Sequence, residues 1–214
     1  MPQDPGRHRP ADISLKALFV AGSLCVLALW WAWPRLQSQQ KLHAEIAQLI
    51  SFEPRPLPDF QLDGIRGPLH VNALKGHWTI LYFAYTRCAD ECLTALGALA
   101  SLHRQMAAAG QTRSLRFVVI SVAADDDALR IQDFASSFDP KFEAYAGSWE
   151  EREKLFLFLD ADVDVAPEKG PGQYVHSNQL YLIDPEAHYV ATWNRMPPRE
   201  TLQHDLCGFI NCPL

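Results

Sequence analysis

From about Phe60 onward the sequence predicts an α/β fold, a mixed central sheet flanked by helices. Three observations carry that reading. Residues 77–85 (HWTILYFAY) and 115–122 (LRFVVISV) are continuous aromatic and β-branched runs, the pattern of strands buried on both faces. Between them, residues 89–109 repeat at helical spacing through Leu93, Leu96, Leu99, Leu102 and Met106, and stop at Gly110. After them, short apolar runs alternate with helical periods to the end of the chain. About 155 residues are enough for one well-buried domain.

Each element has its own local reason. In FQLDGIRGPLHV, Asp63-Gly64 and Gly67-Pro68 are turn signals between short apolar pieces, which predicts a hairpin. Asp125 to Asp127 mark a helix start, with Leu129, Ile131 and Phe134 as the expected inner face. Residues 142–147 read as a short strand. Residues 148–159 read as a helix with Ser148 and Glu151 in a capping box. A polar loop with Pro167, Gly170, Pro171 and Gly172 precedes a strand at 179–184. Asp184-Pro185 then turns into a strand at 188–193, and a last helix runs from about Pro198 to Phe209.

The N-terminal part has a different character. Residues 17–33 (ALFVAGSLCVLALWWAW) contain no charge, and Trp30, Trp31 and Trp33 crowd one end. The run is at the short end of what spans a hydrocarbon core of about 30 Å, and indole rings favour the headgroup boundary. No small-residue cleavage pattern follows Pro34, so an uncleaved transmembrane anchor is expected rather than a signal peptide. Arg7, Arg9 and Lys16 outweigh Arg35 and Lys41 across the run, which places residues 1–16 in the cytoplasm and the C-terminal domain outside it. The expected organisation is therefore a tail (1–16), an anchor (17–33), a stalk and linker (34–59) and a domain (60–214). Within the linker, Leu42, Ile46 and Ile50 share a helical register, and the three prolines of residues 52–60 imply an extended connector.

Composition narrows the function. The chain has 48% apolar and 21% charged residues, and a mean hydropathy of -0.12 excludes a multispan membrane protein. A net charge of -6, with no basic run beyond residues 7–9, argues against a nucleic-acid partner.

The chemistry concentrates at two cysteines and a histidine. Cys88 and Cys92 directly follow a buried strand and open a helix, the place where α/β sheets put their sites. Spacing i and i+4 puts both sulfurs on one helix face, and the helix N-terminus favours the thiolate. Such a pair can close a disulfide or clamp a soft metal, and the spacing alone leaves both open. His176 stands just before a strand, after a loop that breaks the apolar pattern, which makes it a candidate ligand. His70, His103, His188 and His204 lie on mixed-polarity stretches and read as solvated. Cys25 falls in the apolar run and reads as packing. Cys207 and Cys212 read as a local disulfide that ties down the terminus in an oxidising compartment; a second thiol pair that takes up a metal or relays electrons to Cys88 and Cys92 is the alternative.

The order DFQL, GPLHVNALKGHWTILYFAYTRCADEC and VHSNQLYLIDP resembles the Sco/SenC family of thioredoxin-like copper chaperones over roughly residues 58–209. The resemblance implies a thioredoxin-like fold held at the inner (cytoplasmic) membrane, with a single-pass anchor and an extracytoplasmic domain. It implies copper bound by Cys88, Cys92 and His176, with Asp90 as the motif aspartate. The implied partners are the copper-bearing subunit of cytochrome c oxidase, whose dinuclear centre is assembled, and a thiol reductase. The frame around the ligands departs from the family pattern. Ala89 and Leu93 replace the prolines after the two cysteines, Val175 stands where an Asp commonly precedes the histidine, and Glu186 replaces a glycine.

Two thiolates and an imidazole suit Cu(I), and a weak fourth ligand would let them hold Cu(II); Zn(II) also accepts Cys2His. Only the reduced dithiol can chelate. The same residues would equally serve a membrane-tethered thiol-disulfide oxidoreductase with Cys88 and Cys92 as its redox pair. Thr86-Arg87 before Cys88 is a partial echo of a peroxidase site.

Overall fold

The computed structural model describes residues 49–88, 90–111, 115–165 and 174–212. The expected buried strands form its centre. β4 (Trp78–Ala84) and β5 (Leu115–Ser121) pair in parallel, Trp78 opposite Leu115 through Ala84 opposite Ser121. Before them come β1 (Leu49–Pro56), β2 (Gln61–Leu62) and β3 (Leu69–His70). After them come β6 (Glu143–Tyr145), β7 (Val163–Val165), β8 (Tyr174–His176), β9 (Leu180–Ile183) and β10 (His188–Trp193). The main sheet has the order β1-β10-β9-β4-β5-β6, parallel from β4 to β6 and antiparallel from β4 to β1.

Among the described residues, four α-helices cover it: α1 (Asp90–Ala108), α2 (Ala128–Ser136), α3 (Trp149–Phe158) and α4 (Arg199–Ile210). Alternation along β4 explains how both faces are filled. Ile80, Tyr82 and Ala84 join Leu96, Leu99, Leu102 and Met106 of α1, Ile131 of α2 and Leu206 of α4 in one core. Leu81, Phe83 and Tyr85 join Leu62 and Leu69 of the hairpin and Leu155 and Phe156 of α3 in the other. Truncating a fully buried leucine such as Leu102 to alanine costs about 2–5 kcal/mol in such a setting.

The termini of the helices follow their sequence signals, with one change. Gly110, at φ 72°, ends α1 in a conformation that favours glycine. Asp127 caps α2 by accepting from the Arg130 amide, and Ser148 caps α3 by accepting from the Glu151 amide. The Glu151 carboxylate does not return to close a capping box. It accepts from the Gln61 amide at 2.9 Å and pairs with Lys154, so it fastens the β2–β3 hairpin to α3.

Four expectations need correction. Residues 49–56 are neither the end of a helical stalk nor a connector: they form β1 against β10. Pro54 and Pro56 are tolerated because β1 is an edge strand whose register shifts between Ser51 and Arg55. Leu129 faces solvent, because it lies two residues from Ile131 and therefore on the far side of α2. The inner face is Ile131, Gln132 and Ala135, with the expected Phe134 packed half-buried against the same core, and the Gln132 amide bonds Phe142 O and Ala144 N to hold β6. His103 is not solvated. Its Nδ1 lies 2.8 Å from the buried Asp139 carboxylate, with the ring against Phe117. The loop before residue 179 contains structure: β7 and β8 form an antiparallel pair with Val163 opposite His176. The expected tail and anchor (1–33) and residues 34–48 of the expected linker lie outside the described residues. Among the described residues, no helix is long and apolar enough to cross a membrane.

At the β5–β6 edge, Arg116 grips Glu143 through two nitrogens, at 2.8 and 2.6 Å, and donates to Ala73 O. Burial raises the Glu143 carboxyl pKa, but the bond and charge of Arg116 outweigh it, and the net direction is down. Burial in turn pushes the neighbouring Tyr145 phenol up to about 12. A depressed carboxyl contributes stability above its ordinary value of 4.5 and loses that contribution as pH falls through the folded value. Denaturant unfolding should therefore show wild type more stable than Glu143→Gln at neutral pH, with the gap closing below about pH 4.5. Ser148→Ala should cost about 1 kcal/mol in the same measurement, nearly independent of pH.

Candidate metal centre

β4 delivers the first cysteine. At its C-terminal end, residues 85–88 make a turn in which the Cys88 amide donates to Tyr85 O at 3.1 Å. Cys88 therefore precedes α1 rather than lying on it, and Cys92 occupies the first turns of the helix, fully buried. The turn, more than a shared helix face, brings the two together, with their Cα atoms 5.9 Å apart and their sulfurs joined in a disulfide.

His176, the last residue of β8, completes the group. Its Nε2 lies 3.0 Å from Cys92 Sγ and 3.6 Å from Cys88 Sγ. Nδ1 lies 3.1 Å from Ser177 O, a backbone acceptor. That contact selects the tautomer with hydrogen on Nδ1, which leaves the Nε2 lone pair facing the sulfurs. Among the described residues, Cys88, Cys92 and His176 are the group of three whose ligand atoms converge, all within 4.8 Å of one another. Bonds of about 2.0–2.3 Å to a first-row metal fit that spread once the disulfide is reduced. Two thiolates and a neutral imidazole make a soft donor set.

Two tyrosines that the sequence reading left in the core hold this arrangement. The rings of Tyr82 and Tyr85 meet the His176 ring edge-on, each with centroids 6.1 Å away. Tyr82 OH donates to Asn178 Oδ1 at 2.7 Å, and Tyr85 OH donates to Tyr174 O at 3.2 Å. Their polar tips thus grip the chain on both sides of His176. The signal was available in a buried strand that carries phenolic hydroxyls, since a buried hydroxyl requires a partner.

Thr86 and Arg87 are engaged by the loop after β5 instead of framing a peroxidase site. Thr86 bonds Asp126 through its amide and its hydroxyl. Arg87 forms a two-pronged pair with Asp125, which raises the arginine and lowers the aspartate through their mutual hydrogen bonds. That pair is exposed and worth little in water. Asp90 begins α1, and its side chain lies outside the described part. Val175 is exposed beside the histidine.

The other candidates stand elsewhere. Cys207 and Cys212 are joined in the local disulfide expected of them, across Asn211, which closes α4 in the left-handed region at φ 53°. Cys25 lies outside the described residues. His188 pairs with Asp184, and His77 Nδ1 lies 3.3 Å from Lys75 O.

Known proteins resemble this chain in sequence and fold. The family model for SCO1/SenC matches residues 51–211. The SCO2 homolog of Danio rerio mitochondria is 24% identical over 202 residues, covering 91% of this chain and 72% of that protein. A crystal structure of Arabidopsis thaliana ScoI with copper bound superposes with a TM-score of 0.66 at 25% identity, over 72% of this chain and 97% of the other. Bradyrhizobium japonicum ScoI with copper bound gives a TM-score of 0.63 at 27% identity, over 72% and 99%. The mixed sheet is thus the thioredoxin-like fold of Sco proteins, and the chain belongs to the SCO1/SenC family.

Proposed function

We propose that this protein binds copper through Cys88, Cys92 and His176, and delivers it to, or matures, the dinuclear copper centre of cytochrome c oxidase. The observation that carries the reading is the convergence of two sulfurs and Nε2 of His176, all within 4.8 Å of one another, with Nδ1 turned to Ser177 O. Copper-bound relatives at 25% and 27% identity support the choice of metal. Copper is the cargo here. The protein's part is to present donors soft enough to hold Cu(I), and a site shallow enough to release it, with Cys88 and His176 only half buried.

The cysteines must first be reduced. A partner dithiol transfers two electrons and two protons, one of its thiolates attacking the Cys88–Cys92 disulfide. The mixed disulfide then resolves to leave two thiols here and a disulfide on the reductase. Binding of copper releases the thiol protons. The disulfide itself favours a second reading, a membrane-tethered thiol-disulfide oxidoreductase using Cys88 and Cys92. Residues 17–33 supply the tether in both readings, holding the domain on the extracytoplasmic side of the inner membrane, where such disulfides persist.

His176→Ala separates the two readings. In chelator competition on the reduced protein, the variant should lose Cu(I) affinity by at least about 100-fold, since even outer-sphere partners of metal ligands are worth 10- to 100-fold. Its exchange with a model disulfide should stay within about tenfold of wild type. Unchanged copper affinity would reject the chaperone reading, as would copper retention in the Cys88→Ser/Cys92→Ser variant. X-ray absorption of the Cu(I) form should be dominated by sulfur scattering.

The anchor is tested by carbonate washing. Full-length protein should remain in the membrane fraction, with the domain open to protease added from outside the cytoplasm. Recovery of soluble protein that begins at or after Pro34 would instead mark residues 17–33 as a cleaved signal.

A further inference from the structure

We infer that Asp126 is a positioning residue for Cys88, a buried carboxylate that latches the turn carrying this cysteine. Residues 85–88 leave the end of β4, and the two residues at the centre of the turn are both held by the loop after β5. The Thr86 amide donates to Asp126 Oδ2 at 3.0 Å, and the Thr86 hydroxyl donates to Oδ1 at 2.5 Å. Ser121 Oγ donates to Oδ2 at 2.7 Å, so the carboxylate is seated on β5 before it reaches the turn. The Ala123 amide donates to the same Ser121 hydroxyl at 3.1 Å. Beneath this assembly the buried Arg152 donates to Ser121 O and Ala123 O, at 3.1 and 2.7 Å, and fixes the backbone from which Asp126 projects. Outside it, Arg87 pairs with Asp125, but that bond is exposed and contributes little to order.

Only 6% of Asp126 is accessible, so its bonds to Thr86 are shielded from water and carry more weight than a surface contact. The consequence concerns ring closure. Joining Cys88 to Cys92 in a disulfide, or joining both to one metal ion, fixes Cys88 against Cys92, and a turn that is free beforehand loses conformational entropy when Cys88 is fixed. The latch orders the turn beforehand, so both closures become more favourable by the same factor. The statement about the disulfide is independent of copper; the statement about metal rests on the function proposed above.

The test uses the full chain as wild type, Asp126→Ala, Asp126→Asn, Thr86→Val and the Thr86→Val/Asp126→Ala pair. Equilibration in dithiothreitol buffers reads the Cys88–Cys92 couple, with Cys207–Cys212 as an internal reference, and chelator competition reads Cu(I) in the reduced protein. Asp126→Ala should move Cys88–Cys92 about tenfold toward the dithiol, or about 30 mV for this two-electron couple, and should leave Cys207–Cys212 in place. Cu(I) affinity should fall by a similar factor of about ten. Asp126→Asn should restore both to within about twofold. Its amide oxygen can accept from the Thr86 amide and the Ser121 hydroxyl, while its nitrogen donates to Thr86 Oγ1. Thr86→Val should shift the couple in the same direction by less, and add nothing to Asp126→Ala.

Three results would overturn the inference: an unmoved Cys88–Cys92 couple in Asp126→Ala, equal movement of both disulfides, or an Asn variant as defective as Ala. If Asp126→Ala fails to fold, Thr86→Val decides, and an unmoved couple there refutes the latch. A wild-type protein that binds no Cu(I) would refute the copper function while leaving the disulfide measurement to judge the latch.

Discussion

The antiparallel pairing of β9 with β4 is the contact on which the site depends. Cys92 and His176 are 84 residues apart, and neither a helix nor a turn can bring them together. What does so is a register, with Leu81 opposite Tyr181 and Tyr82 opposite Leu180, that carries the segment preceding β9 to the end of β4 where the cysteines begin. All four of these residues are essentially inaccessible to water. A slip of one position would exchange Leu180 and Leu182 with Tyr181 and Ile183 between the two cores, so packing enforces the register and the register places the imidazole.

From that pairing follows a division of labour between enclosed and accessible parts. The imidazole is held from several sides, by Ser177 O at Nδ1 and by the edges of Tyr82 and Tyr85. Cys92 is buried in a helix whose apolar face belongs to the core. Cys88 alone stands in a turn, half-buried, and is the sulfur that an incoming thiolate or metal can approach. Two enclosed donors and one accessible one would let the site pass between a disulfide, a dithiol and the proposed metal chelate without rebuilding the sheet.

Much of this was legible in the sequence, for identifiable reasons. β4, β5 and α1 are long and strongly patterned, so hydrophobic periodicity found them, and Cys88, Cys92 and His176 stood out by residue type and position. The parts that escaped depend on tertiary context. β1 is a strand only because β10 lies beside it; by its prolines alone residues 52–60 look like a connector. Residues 174–176 are too few to show a period and acquire strand geometry from β7. Asp126 reads as one of three helix-start aspartates, yet its neighbour Asp127 makes the cap and Asp126 turns inward to Thr86. His103 reads as polar surface because its partner, Asp139, is 36 residues away.

The irregular β1 bears on how copies of the protein behave in one another's company. An open sheet has two edges, each a row of backbone donors and acceptors able to recruit a strand from a neighbouring molecule. Here one edge is β6, only three residues long. The other is β1, where a break in register and two prolines, each lacking an amide hydrogen, interrupt the row. Neither edge offers a straight template for strand addition. Among the described residues, the sheet thus gives a neighbouring copy of the protein little regular backbone to pair with at either end.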